Sequence, residues 1–327
     1  MAEAESAQIA PEGRLAGIAR HPFFDAFRRV LRKRIALAAF IIIFVIYLAG
    51  LLAPWVAPYS FRETDLDNVF AGPSLDHPFG TDRLGRDMLS RVMWSAQTTL
   101  IVSVLAVLSG SLLLGVGLGI LSGYKGGWVD TAIMRTVDVI SSLPSILILI
   151  LIAATIRPRW DEAWRDFESW SGIGGIRESG APDYFLVFGI LAILSWGGLA
   201  RLIRSQVLSV RQMEYITAAR ALGASTRRIV SVHLLPNVSH LIILVLTTSL
   251  GAMAGLEVGL TFLGVGVRSP HPSFGSMIFD GSGLRQLQAH PHLLLIPAAF
   301  VSALLVSFNL LGDALTDVLN PRRRGQS

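Results

Sequence analysis

The chain has 327 residues, 52% of them hydrophobic and only 16% charged, and its mean hydropathy is +0.56. Soluble domains carry about 25% charged residues, so the composition points to a bilayer rather than to a large water-soluble core. No cysteine is present, which excludes disulfides, a cysteine nucleophile and thiolate metal sites. The net charge of +5 reads as basic cytoplasmic loops rather than as a nucleic-acid surface.

In chain order, six segments are apolar and long enough to span a membrane: Ile35–Ala53, and then about Thr98–Ser122, Thr136–Ile156, Tyr184–Ala200, Leu241–Leu263 and Leu293–Leu311. Each is near the ~20 residues that the hydrocarbon core demands, and in lipid such segments are helices, because the backbone must satisfy its own hydrogen bonds. The first follows a long, mostly polar stretch and exceeds a signal-peptide core, so it is expected to be a retained anchor. The third carries Asp138 and Pro144.

Charge sets the expected orientation. The two tails and the connections after the second and fourth spans hold eighteen basic residues against eight acids, whereas the other three loops hold ten against thirteen. Six crossings put the basic set on one side, the cytoplasm, with both termini inside.

The first external loop contains Gly80-Thr-Asp-Arg-Leu-Gly-Arg-Asp87, which superficially resembles a P-loop. It has Arg86-Asp87 where phosphate and magnesium require Lys and Ser/Thr. No other segment supplies a P-loop, so ATP hydrolysis by that route is excluded, and the loop is expected to be a packed cap. In the second external segment, Arg157–Asp183, Trp160, Trp164 and Phe167 repeat at helical spacing, which predicts a short interfacial helix. Glycines at 115, 119 and 123, and again at 251, 255 and 259, predict close helix packing.

The stretch Glu214–Asn237 between spans four and five carries the most information. Glu214, Tyr215, Thr217, Ala218 and Ala219 lie on a short helix stopped by Gly223, and Ser225 caps a second helix that bears Arg227. Pro236 is expected to end that second helix, and Asn237 to cap the next span. A DNA-binding helix-turn-helix is rejected, since flanking spans leave no room for its supporting domain.

Here the sequence resembles the permease subunits of ABC importers, whose signature is Glu-Ala-Ala, three residues, Gly, nine residues, Ile, any residue, Leu-Pro. Ala218-Ala219, Gly223 and Leu235-Pro236 fall at that spacing, while Thr217 and His233 replace the Glu and the Ile. Glu214, on the same face as Thr217, is a substitute for that glutamate. His77–Asp87, the stretch from Glu257 through Phe262-Leu263-Gly264 to Pro272–Gly275, and Asn309–Leu315 with Asp317 narrow the resemblance to the second permease subunit of the oligopeptide/dipeptide/nickel branch. Arg157–Asp183 looks like an insertion relative to that branch.

The resemblance implies an all-α, polytopic type I importer fold with six transmembrane helices. It implies a cytoplasmic tail over 1–33, a first helix and external loop over 34–96, a five-helix domain over 97–316 with a coupling loop at about 201–240, and a tail over 317–327. The implied partners are a second, similar permease, two ATPase subunits at the cytoplasmic face and an extracytoplasmic substrate-binding protein, in the inner membrane of a prokaryote. ATP and magnesium would belong to the ATPases, with no cofactor or metal in this chain. The rival class, an ion-coupled secondary transporter, needs ionisable groups at the midplane. Asp138 and Glu257 are the only acids within the expected spans; both are candidates for pairing or for lining the peptide path. An intramembrane enzyme is excluded by the absence of H-E-x-x-H and G-x-S-x-G.

Overall fold

The computed structural model describes residues 28–319, and its only β pairing among these is a lone bridge between Thr81 and Asp87. The tails expected at 1–33 and 317–327 lie mostly outside the described residues. The helices in chain order are α1 (Arg34–Val56), α2 (Met88–Lys125), α3 (Gly127–Ser141), α4 (Ser145–Ser171), α5 (Ala181–Val210), α6 (Glu214–Ala221), α7 (Thr226–Phe262), α8 (Phe274–Gly281), α9 (Leu284–Ala289) and α10 (His292–Leu319). Five of them, α1, α2, α5, α7 and α10, are each long and apolar enough to cross a membrane, and α3 with α4 makes a sixth if that bent pair is one span.

Several expected boundaries change. The second span starts at Met88 rather than near Thr98, capped by the Asp87 carboxylate accepting from the Ser90 amide at 2.7 Å. The domain boundary expected at 96/97 therefore falls inside α2, and the one at 316/317 falls inside α10. The third span is not one rod: α3 and α4 meet at an angle of 91°. Pro144 disfavours a helical Leu143, and the chain turns there. Beyond the turn α4 runs through Pro158 to Ser171, so the interfacial helix expected within Arg157–Asp183 is the outer half of α4. Its rings do meet, edge to face, Trp160 to Trp164 at 6.0 Å and Trp164 to Phe167 at 5.7 Å between centroids. Gly172, at φ 69°, ends the helix in the left-handed conformation.

Pro236 does not stop a helix either. A proline ring clashes with the carbonyl four residues back in a regular α-helix, but here the preceding turns, Ile229–Leu234, are widened to i→i+5 bonding and α7 continues to Phe262. Asn237 is not an N-cap. Its side-chain amide lies along α7 and donates to the His233 carbonyl at 2.7 Å.

Packing follows the small residues. At Gly119 a Cβ would sit 2.8 Å from the Ala200 carbonyl, and at Gly123 2.8 Å from Val207 Cβ, so α2 and α5 touch backbone to backbone. The second glycine series is a seam only in part: Gly251 abuts Phe308 of α10, Gly255 makes ordinary contact with Leu305, and Gly259 meets nothing within 4 Å. One core lies between α2, α4, α5 and α7, around Val102, Leu149, Leu191 and Leu260. Another surrounds the fully buried Phe274, which the short re-entering helix α8 drives between α2, α7 and α10.

Candidate coupling and substrate-path site

The link between α5 and α7 is almost wholly helical. After α5 ends at Val210, α6 carries Glu214–Ala221, Gly223 turns the chain at φ 79°, and Ser225 Oγ accepts from the Arg228 amide at 3.4 Å as α7 begins. The loop expected at about 201–240 is thus the end of one span, a short helix and the start of the next; Arg201 and Arg204 belong to α5, and Arg211 caps its C-terminus.

One residue fixes α6. Ile216 is fully buried among Ile203, Val207, Ile229 and Leu234, so any push on α6 reaches both α5 and α7. Its other side is open. Glu214, Thr217, Ala218, Gly223 and Arg227 are exposed, as is Tyr215, which receives a 3.2 Å hydrogen bond from Asn237 Nδ2. Ala219 and Gly223 line a hollow of about 470 Å³ with Leu222, Arg228 and His233. Pro236 stands one turn further along α7. Leu222 was not legible as a site residue, yet it is 89% exposed at the tip of the hairpin. Its only sequence signal is an apolar residue directly before the turn glycine.

Arginines tie this hairpin to α2 and α3. Arg211 donates to the Gly123 carbonyl at 2.8 Å, and the Arg220 guanidinium lies 5.2 Å from the centre of the Tyr124 ring. Arg204 grips Asp130 bidentately, with Nη2 to Oδ2 at 2.6 Å. Further along, Arg201 Nη2 donates to Asp138 Oδ1 at 2.8 Å.

Asp138 and Arg201 both remain more than half exposed despite pairing. Around them Thr131, Arg135, Thr136, Ser141, Ser142 and Ser145 are also exposed, flanking the 91° turn between α3 and α4. Each charge facing lipid at mid-depth would cost about 3 kcal/mol, and broken helix at that depth is tolerated only against protein or water.

Glu257 behaves differently. It is wholly buried, and its carboxylate accepts from Thr99 Oγ1 at 2.7 Å, Ser273 Oγ at 2.7 Å and Thr261 Oγ1 at 3.1 Å. It faces no open path here. It knits α2 and α7 to the cap of α8. The two candidate acids are thus not brought together: one sits on an exposed polar face and the other in a sealed hydroxyl cage.

On the opposite end, the cap turns around Asp82. Its carboxylate accepts from the Leu84 and Arg86 amides, from Arg86 Nε at 2.7 Å and from Arg91. Burial would push this carboxyl up, but Arg91 and Arg86 prevail and hold it below the usual carboxylate range. Gly85, at φ 72°, packs on the Asp65 backbone so closely that no Cβ fits.

A many-spanning helical protein with a polar broken span and an exposed helical hairpin between two spans has the architecture of a membrane transport component. The chain belongs to the family of binding-protein-dependent transport system inner membrane components, which residues 115–325 match. Residues 21–73 match the N-terminal transmembrane domain of oligopeptide transport permease C. Among curated proteins it is 35% identical to the dipeptide transport system permease protein DppC of Bacillus subtilis, covering 92% of this chain and 86% of that one. It is 32% identical to the oligopeptide transport system permease protein OppC of Haemophilus influenzae, over 92% and 88%. It is 34% identical to the glutathione transport system permease protein GsiD of Escherichia coli, over 94% and 92%. The chain is thus a multi-pass membrane permease, not an enzyme family member.

Proposed function

We propose that this chain is one of two membrane-spanning subunits of an ATP-driven importer that brings peptides across the cytoplasmic membrane of a prokaryote, with both termini inside. The dipeptide, oligopeptide and glutathione permeases to which it is similar support that cargo class. A second permease of the same kind covers the exposed polar face of α3 and encloses a wet path with it, lined by Asp138. Two ATPase subunits, holding ATP and magnesium, engage the α6 hairpin, and an extracytoplasmic binding protein delivers cargo to the opposite end. Lipid surrounds the remainder, and no nucleic acid is involved.

The observation that carries this reading is the build of the hairpin. Ile216 is locked between two long helices while Tyr215, Ala218, Leu222 and Gly223 are exposed. Swinging a two-state equilibrium from 1:99 to 99:1 takes about 5.5 kcal/mol. Nucleotide-driven closure of the ATPases supplies it, and α6 passes it to α5 and α7 through Ile216.

Gly223→Trp tests the reading. A Cβ there meets nothing within 4 Å, and the left-handed backbone costs a side chain only about 1–2 kcal/mol. The variant should insert normally and lose peptide uptake, because the bulk fills the ATPase contact. Normal uptake would refute the coupling role. Uptake that survives nucleotide depletion and collapses with an ionophore would favour an ion-coupled secondary transporter instead.

A further inference from the structure

Where the outer cap meets the ends of α7 and α8 there is a cavity of about 480 Å³, on whose wall Arg83, Arg86 and Arg91 converge. Two carboxylates answer these three guanidiniums. Asp82 takes Arg86 and Arg91, while Asp280 lies 3.4 Å from Arg83 and 4.0 Å from Arg86. Arg268 also lines the cavity; it pairs with Asp161 at 2.9 Å and shares Asp183 with Arg157, at 3.1 and 2.8 Å. Across this network five guanidiniums face four carboxylates, and one positive charge is left over.

Arg83 is open to solvent, but the other two guanidiniums on the cavity wall are buried. The side chains of Arg86 and Arg91 are each 4% exposed, and Arg91 Nε is sealed from solvent with no hydrogen-bond partner among the described residues. A buried donor without an acceptor is costly, and one on a charged group more so. The rest of the wall is apolar: Leu263 and Phe279 are large, half-exposed side chains beside the guanidiniums. A cationic fork next to a bare apolar wall, in a space of ligand size, matches a monoanion carried on an apolar body. Arginine presents the geometry that holds a carboxylate.

We propose that this cavity is a subsite for the C-terminal carboxylate of a peptide ending in an apolar residue, with Arg91 and Arg83 holding the carboxylate and Leu263 and Phe279 the side chain. The proposal rests on the peptide-transport reading for its choice of ligand.

The test is equilibrium dialysis of the assembled membrane complex, without binding protein, against labelled dileucine and its C-terminal amide. The wild type should prefer the free carboxylate by about tenfold, the worth of one charge-assisted hydrogen bond. Arg91→Gln should erase that preference while binding of the amide stays unchanged, which also reports a folded complex. Arg83→Gln, at a more exposed position less able to disturb folding, should cut the preference about threefold. A wild type with no preference, or a preference that survives both substitutions, overturns the subsite. A complex that transports no peptide yet still prefers the carboxylate sinks the transport reading and leaves the subsite standing.

Discussion

His271 sits in the outer connection between α7 and α8, its ring 5.4 Å from Phe61 and 6.1 Å from Tyr184 between centroids, with Nε2 donating to the Glu178 carbonyl at 2.9 Å. Burial pushes its pKa down, and Arg62 pushes the same way, against the carbonyl and Asp183. Because the folded value is depressed, the unfolded chain binds the proton first. The stability that neutral His271 confers is complete above the unfolded pKa of about 6.5 and is lost as pH falls through the lower folded value. Thermal melts of the detergent-solubilised protein should therefore show a midpoint that declines from pH 7 to pH 5. In His271→Gln, which keeps a donor for Glu178, that decline should flatten; an equal slope in the variant would exclude His271 as its source.

At the scale of elements, the contact between α2 and α5 is set by glycine, and no larger residue fits without separating the helices. Gly119→Val would place carbon against the Ala200 carbonyl, 2.8 Å from the ideal Cβ position, with Ile203 Cβ at 2.9 Å. Backbone cannot yield as a flexible side chain does. Overpacking of this kind costs about 1–3 kcal/mol, so the melting midpoint should drop by several degrees. Gly259→Ala, where nothing lies within 4 Å, should leave it within about 0.5 kcal/mol of the wild type. The glycine spacing made both series look alike in sequence, and only the partner helix separates them. The break between α3 and α4 was equally hard to read, because hydropathy stays high across Pro144 and one proline is compatible with a kinked but continuous span. By contrast the turn of the α6 hairpin was legible at Gly223 and Ser225: a left-handed glycine and a serine cap act through their nearest neighbours, and both behave as local chemistry dictates.

Taken as a whole molecule, what the sequence hid is what joins distant segments. Asp130 with Arg204 spans 74 positions, Thr99 with Glu257 158, and Thr98 with the Pro272 carbonyl 174. No periodicity or charge count announces such pairs. The number of crossings and their polarity are different, because they depend on sums along the chain, and the bent third pair preserves the alternation only if α3 and α4 together cross once. That condition can be checked directly. The absence of cysteine gives a labelling experiment no background. Leu75→Cys, at a fully exposed position in the connection between α1 and α2, and Leu222→Cys, 89% exposed at the α6 hairpin, place one thiol at each end. In intact cells lacking the ATPase subunits, a membrane-impermeant maleimide should label the first and not the second, and permeabilisation should expose the second. Since α3 and α4 are the only elements whose crossing is in question between these two positions, labelling of both from outside would mean that the bent pair re-enters without crossing. The α6 hairpin would then stand on the wrong side for a cytoplasmic motor, and the coupling mechanism would fall with it.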